Sequence, residues 1–173
     1  MNVPGSARLR APRREVPFHV VLVEPEIPPN TGNAARLCAA TGCRLHLVHP
    51  LGFSTDDKAV RRAGLDYWHL VDWTSHESFA AFEAARAGQG RRFLFTGKSS
   101  RSFLDVKYEL GDYLVFGKES VGLPDALVDA YPEETVAIPT LGAVRSLNLA
   151  NAVALGVYEA LRQTGCLDHA ELG

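Results

Sequence analysis

Three polar clusters in the 173-residue chain could do chemistry. The first is Asn30, Asn33 and Arg36, within EPEIPPNTGNAARLCAATG. Arg36 follows Asn33 by about one helical turn and Asn30 by about two, so a helix would bring the three near one face. An arginine there either forks onto a phosphate or carboxylate, or is solvated behind an N-cap at Asn30 or Thr31. The second cluster is residues 117–124, GKESVGLP. Gly117 permits close approach of a ligand, and Glu119 sits in a turn where an acid also suits the dipole of the following helix. The third is residues 138–151, IPTLGAVRSLNLAN, where Arg145, Ser146, Asn148 and Asn151 open an otherwise apolar helix. Ser146 is the candidate N-cap. Two asparagines sharing a helical face among leucines and alanines need partners, either a ligand or a neighbouring loop.

Other familiar motifs are incomplete. The turn after the first strand lacks GxGxxG, against a Rossmann cofactor site. Gly97-Lys98-Ser99 mimics the end of a P-loop, but Arg92 stands where its first glycine belongs. There is no GxSxG elbow. His46 and His49 form an HxxH pair that a strand would turn to opposite faces, which suits packing or surface roles better than a metal.

These clusters must be positioned by alternating strands and helices. Residues 18–23 (FHVVLV), 44–48, 92–96 and 113–117 read as buried parallel strands, and 135–138 as a short one. Residues 31–41, 56–64, 75–87, 123–131 and 145–164 read as helices, the first stopped by Gly42. That order implies an α/β fold, a mostly parallel sheet flanked by helices, with ligand loops beyond the strand carboxyl ends.

Composition narrows the class. At 46% apolar and 22% charged residues the chain is ordinary for a globular protein of one-domain length. No apolar run nears the roughly 20 residues of a membrane span, and the first residues lack the apolar core of a secretory signal. Cys38, Cys43 and Cys166 are odd in number and show no CxxC spacing. That argues against a disulfide framework or zinc site and for a reducing, cytoplasmic setting. The net charge of −2 is uneven: setting aside Arg8, Arg10, Arg13 and Arg14 leaves 14 basic against 20 acidic residues, a balance of −6. Residues 1–16 read as a flexible basic arm, either solvated or touching phosphates, and 17–173 as the folded domain.

Taken in order, PEIPPNTGNAARLCAATG, YLVFGKESVGLP and IPTLGAVRSLNLANAVALGVYEALRQ resemble the three motifs of SPOUT-class, TrmH-like RNA 2′-O-methyltransferases. PEIPPNTGN and DDKAVRRAGLDYW are similar to the short family within that class that methylates the wobble ribose of tRNA, on cytidine or modified uridine at position 34. The likeness spans about residues 18–165. It implies a C-terminal deep trefoil knot, a homodimer seamed by the last helix, and the anticodon stem-loop of tRNA as substrate. The implied cofactor is S-adenosyl-L-methionine, with S-adenosylhomocysteine as product and no metal.

By the same resemblance, Phe95, Thr96, Gly117, Ile138, Ser146 and Leu147 hold the cofactor. Arg36 assists the attacking 2′-hydroxyl, and Asn30, Glu119 and Asn148 orient Arg36, the cofactor and the ribose. Charge offers the RNA contacts: Lys58, Arg61 and Arg62 are either a solvated helix face or, as the match of DDKAVRRAGLDYW favours, phosphate contacts, joined by Lys98, Arg101 and Arg145 in the loops. Tyr67 and Trp68 either stack a base or join the core. Methylation of another tRNA or rRNA position, and a non-catalytic RNA-binding protein on the same fold, are the alternative readings.

Overall fold

The computed structural model describes residues 7–55, 58 and 67–173. At its centre β2 (His19–Val23) buries four consecutive valine and leucine side chains, which point to both faces of the sheet. Such a strand must be covered by helices on either side. β3 (Arg44–Val48) and β6 (Tyr113–Phe116) pair with it in parallel, one along each edge. β4 (Trp73–His76) extends the β3 side. β5 (Arg92–Phe95) and the two-residue β7 (Thr135–Val136) extend the other. The order is β4-β3-β2-β6-β5-β7. The chain builds one half of the sheet outward from β2 and the other half around β6. The β2–β6 boundary is therefore a switch point, where loops at the strand carboxyl ends diverge and a crevice can form.

One face carries α1 (Pro28–Thr41) and α4 (Leu149–Gln163), which pack on each other and on Val20, Leu22, Leu45, Leu114 and Phe116. The other carries α2 (Phe79–Arg86) and α3 (Asp125–Ala130), with Phe82 and Val128 against Val21, Val48, Leu94 and Val115. Gly156 lets α4 approach the stacked rings of Phe95 and Phe116, because a Cβ there would lie 3.0 Å from one ring and 3.3 Å from the other. Outside the main sheet, β1 (Leu9–Arg10) pairs antiparallel with β8 (Glu171–Leu172), so the basic arm carries a short strand.

Several boundaries differ from local expectation. The first helix begins at Pro28 rather than Thr31, and neither Asn30 nor Thr31 caps it; the N-cap is Ile27, which has no side-chain acceptor. Prolines fit the first turn, whose N–H groups have no helical partner. The stretch 75–87 divides, with Ser75 and His76 in edge strand β4 and Ser78 Oγ accepting from the Ala81 amide at 3.0 Å to start α2. WTSH is too short and polar for its period to announce a strand; pairing with β3 makes it one. The last helix starts at Leu149 instead of Arg145, capped by Asn148 and not Ser146, and residues 141–148 stay exposed. α3 is shorter than 123–131. The helix expected over 56–64 lies, apart from exposed Lys58, outside the described residues.

His46 finds its partners on neighbouring strands, not at His49. His19 Nδ1 lies 2.9 Å from His46 Nε2, and His46 Nδ1 lies 3.0 Å from His76 Nε2. Neutral rings pass one donor to one acceptor along this row. Tyr113 stacks on His19 at 4.1 Å, and Phe82 packs edge-on against His46 and His76. Burial, helped by neighbouring cationic groups, holds His46 down at about 3 and His19 at about 4; burial also lowers His76. In the unfolded chain the same rings titrate near 6.5. Below that pH the unfolded state binds more protons than the native state, so this contribution to stability is full above pH 6.5 and is lost as pH falls toward 4 and below. The denaturation midpoint should therefore be lower at pH 5 than at pH 7.5, while the folded protein's His19 and His46 ring protons keep neutral shifts at pH 5. Native-state titration of both rings near pH 6.5 would contradict the buried row.

Candidate active site

The loops after β2 and β6 meet at the switch point and clamp one another. Glu119 Oε2 accepts from the Glu26 amide at 2.8 Å, and Oε1 accepts from the Ile27 amide at 3.0 Å. Glu26 answers by accepting from the Ser120 amide and hydroxyl, both at 3.0 Å. Glu119 thus sets a carboxylate beside the N-terminus of α1, whose own first turn holds no acid. Lys118 adds an ion pair to Glu24 at 3.3 Å. The turn that presents Glu119 needs Gly117, because a Cβ there would sit 2.0 Å from the Gly122 carbonyl carbon.

Asn30 carries this clamp to α4. Its Nδ2 donates to Glu119 Oε1 at 3.2 Å, and its Oδ1 accepts from Asn148 Nδ2 at 2.9 Å. Asn148 Oδ1 in turn accepts from the Asn151 amide as the α4 N-cap. A carboxylate only accepts and a backbone amide only donates, so the direction of every bond in the chain is forced. Asn30 is 6% exposed, and a buried amide with both ends used is held in one orientation.

Asn30 does not share a face with Arg36. Six residues at 3.6 per turn leave the two about 120° apart, and Asn30 is buried while Asn33 and Arg36 are exposed. Asn33 and Arg36 instead line a groove of about 580 Å³ with Leu37 and Ala40 of α1 and Asn148, Ala150, Asn151 and Ala154 at the start of α4. That volume lies in the range of small-molecule sites. The Arg36 guanidinium carbon sits 4.9 Å from the centre of the Tyr67 ring. Sequence reasoning left Tyr67 between base stacking and core. It is neither buried nor free of contact, and only the packing of Tyr67 against α1 reveals the pair. Trp68 packs against the core.

The expected cofactor residues divide in two. Phe95, Thr96, Gly117 and Ile138 lie at or just beyond the carboxyl ends of β5, β6 and β7, three adjacent strands. The Thr96 amide donates to Val136 O at 2.9 Å, and Ala137 bonds to residues 101 and 103, which ties the loops after β5 and β7 together. Ser146 and Leu147 stand apart on the exposed stretch before α4. Of the expected RNA contacts, Lys58 and Arg145 are exposed, and Arg61 and Arg62 lie outside the described residues. Lys98 is paired with Asp125, and Arg101 donates to the carbonyls of Glu133 and Thr135.

Comparison with known proteins gives the chain its place. Residues 17–158 match the model of the SpoU rRNA Methylase family. A protein of Burkholderia pseudomallei named tRNA (cytidine(34)-2'-O)-methyltransferase is 55% identical over 150 residues, covering 86% of this chain and 96% of that protein. A solved structure concerned with the 2-OH methylation of C/U34 on tRNA is 49% identical, with a TM-score of 0.81, over 84% of this chain and 95% of its own. A SpoU methyltransferase of Streptomyces viridochromogenes in complex with the cofactor AdoMet is 28% identical, with a TM-score of 0.73, over 89% of this chain and 60% of its own. The chain belongs to the SpoU methylase family.

Proposed function

We propose that this protein is a tRNA 2′-O-methyltransferase acting on the ribose of the wobble nucleotide, cytidine or modified uridine 34, in the anticodon stem-loop. The observation that carries the reading is the groove in which Arg36, without an ion pair among the described residues, sits beside Asn33, Asn148 and Asn151. The relatives' names and high identity support it.

The donor is S-adenosyl-L-methionine. The ends of β5, β6 and β7 fit a nucleoside held by backbone groups: Thr96 and Ile138 are half-buried, and at Gly97 and Gly142 a Cβ would meet nothing within 4 Å, so the backbone there is approachable. Thr96, Gly117 and Ile138 would hold its adenosine, with Phe95 beneath and Ser146 and Leu147 closing over it. When bound it supplies a methyl group made electrophilic by a cationic sulfonium, chemistry that asks the protein for positioning rather than a metal.

Arg36 provides charge at the other end of the reaction. A guanidinium donates and does not accept protons, so its role is to anchor a substrate phosphate and to stabilise the oxygen as the 2′-hydroxyl gives up its proton toward that phosphate. Asn148 and Asn151 are placed to orient the ribose, and Glu119 and Asn30 are positioning residues that fix Asn148 and the start of α1. Exposed Leu155 and Tyr158 on α4 support a homodimer seamed by that helix. The trefoil knot would thread α4 through the loops after β5 and β6. The three cysteines are free and buried, in keeping with a reducing cytoplasm. No helix among the described residues is long and apolar enough to cross a membrane.

Mapping 2′-O-methylation in tRNA from cells lacking the gene should show loss at nucleotide 34, and retention there would overturn the reading. Arg36→Ala should lower kcat by about 100-fold or more, as loss of an oxyanion donor does, and leave S-adenosyl-L-methionine affinity unchanged in calorimetry. Tyr67→Leu should reduce kcat roughly two- to fivefold, the scale of an exposed cation–π contact, while Tyr67→Phe keeps the parent rate. A rise in KM for tRNA with kcat intact would instead make Tyr67 a base-stacking residue. Asn30→Asp should lower turnover and thermal stability more than Asn30→Ala, since it opposes two carboxylates at 3.2 Å where a donor now bridges.

A further inference from the structure

We propose that the β1–β8 ribbon is an RNA phosphate-binding element, which presents Arg8, Arg10, Arg13 and Arg14 to the backbone of the tRNA whose ribose the groove engages. The proposal rests on the function set out above and adds to it a surface that the family match does not contain. Residues 17–158 carry that match, and both strands of the ribbon, Leu9–Arg10 and Glu171–Leu172, fall outside it.

The ribbon gives the basic arm a fixed root. Leu9 stands opposite Leu172 and Arg10 opposite Glu171. The Arg8 amide donates to the Gly173 carbonyl, and the Gly173 amide donates to the Arg8 carbonyl, each at 3.0 Å. A tethered arginine loses less conformational freedom on docking than one on a free tail, so more of its Coulomb attraction survives as affinity.

The pattern of ion pairing sets these arginines apart. In the body Arg44 pairs with Asp72, Arg86 with Glu83, Arg91 with Asp112, Arg92 with Glu134, and Arg162 with Glu159, all within 2.9 Å. Among the described residues Arg8, Arg10, Arg13 and Arg14 hold no ion pair, although Glu171 faces Arg10 across the ribbon. Among the described residues the other arginines without a carboxylate partner are Arg36 in the groove, exposed Arg145, and Arg101, whose guanidinium is taken by carbonyls. Setting the arm's four arginines aside leaves 14 basic against 20 acidic residues, so the body's net charge repels a polyanion and the arm is its chief counterweight. β8 follows the far end of α4, a helix about 22 Å long at 1.5 Å per residue, whose near end lines the groove. An RNA stem-loop that delivers one nucleotide to the groove has phosphates to spare over such a span.

The test is the full chain carrying Arg8→Ala, Arg10→Ala, Arg13→Ala and Arg14→Ala together. An Arg13→Ala/Arg14→Ala pair, outside β1, serves if the quadruple variant does not fold. Affinity for tRNA is measured across a salt series alongside kcat and KM. Each lost phosphate contact should flatten the slope of log affinity against log salt by about 0.7–0.9, so the quadruple variant should lose roughly three units. Its tRNA Kd should rise about tenfold or more at low salt, with the effect on KM and not kcat. Parent-like affinity and slope in a variant that melts with the parent would overturn the ribbon's role while leaving methyl transfer standing. Arm-dependent binding of tRNA by a parent that leaves nucleotide 34 unmethylated would do the reverse.

Discussion

The orientation of one buried amide connects the parts of the site. Asn30 can satisfy Glu119 only with its nitrogen and Asn148 only with its oxygen. Reversal would set oxygen against carboxylate at one end and nitrogen against nitrogen at the other. Because Asn30 is nearly inaccessible to water, its own mispaired atoms could not turn to solvent, and each would cost about 1–3 kcal/mol. Three stretches far apart in the chain, the β2 loop, the β6 loop and the start of α4, are thereby held in a single relative arrangement. The helix bearing Arg36 follows directly on the amides of Glu26 and Ile27, which donate to a carboxylate more than 90 residues away. The position of the guanidinium is therefore a property of the whole switch point.

The sheet explains why this junction lies where it does. β2 and β6 are adjacent and parallel, so their loops leave the same edge side by side. Two such loops would ordinarily diverge and leave a crevice. Here the reciprocal contacts of Glu26 with Ser120 and of Glu119 with Glu26 and Ile27 join them. The usable cavity is displaced toward α1 and α4, lined by Asn33, Arg36, Leu37 and Ala40 of the one and by the start of the other. On the opposite face of the sheet the histidine row and Phe82 fill the space under α2 with aromatic contacts. Polar chemistry and packing are thus separated by the thickness of the sheet.

How much of this was legible in the sequence depended on whether the deciding partner was near in the chain. Strands β2, β3, β5 and β6 were legible because short, largely apolar stretches bury both faces whatever their neighbours are. The three polar clusters were legible from their residue types, and the order of their motifs pointed to the family, although the third was read as the start of a helix that begins only at Leu149. Helix caps were not legible, because Ile27 precedes α1 with no side-chain acceptor and Asn148 takes the place that Ser146 holds in local pattern. β4 was missed because WTSH becomes a strand only against β3. His46 looked like half of an HxxH pair, yet its contacts come from β2 and β4. The facing of Asn30 was misjudged by treating two turns as one face, when 3.6 residues per turn rotates it away from Arg36.

The composition of the groove narrows what can bind there. No carboxylate lines it: its polar members are Arg36 and the amides of Asn33, Asn148 and Asn151. Where five of the eight described body arginines pair with acids, a guanidinium left beside neutral amides keeps its charge for an incoming anion. Amides can donate to a phosphate or accept from a hydroxyl without cancelling that charge. An arginine with amide neighbours, mounted on helices locked by a one-way hydrogen-bond chain, suits a reaction in which a sugar oxygen must be aligned and its growing negative charge met at a fixed point.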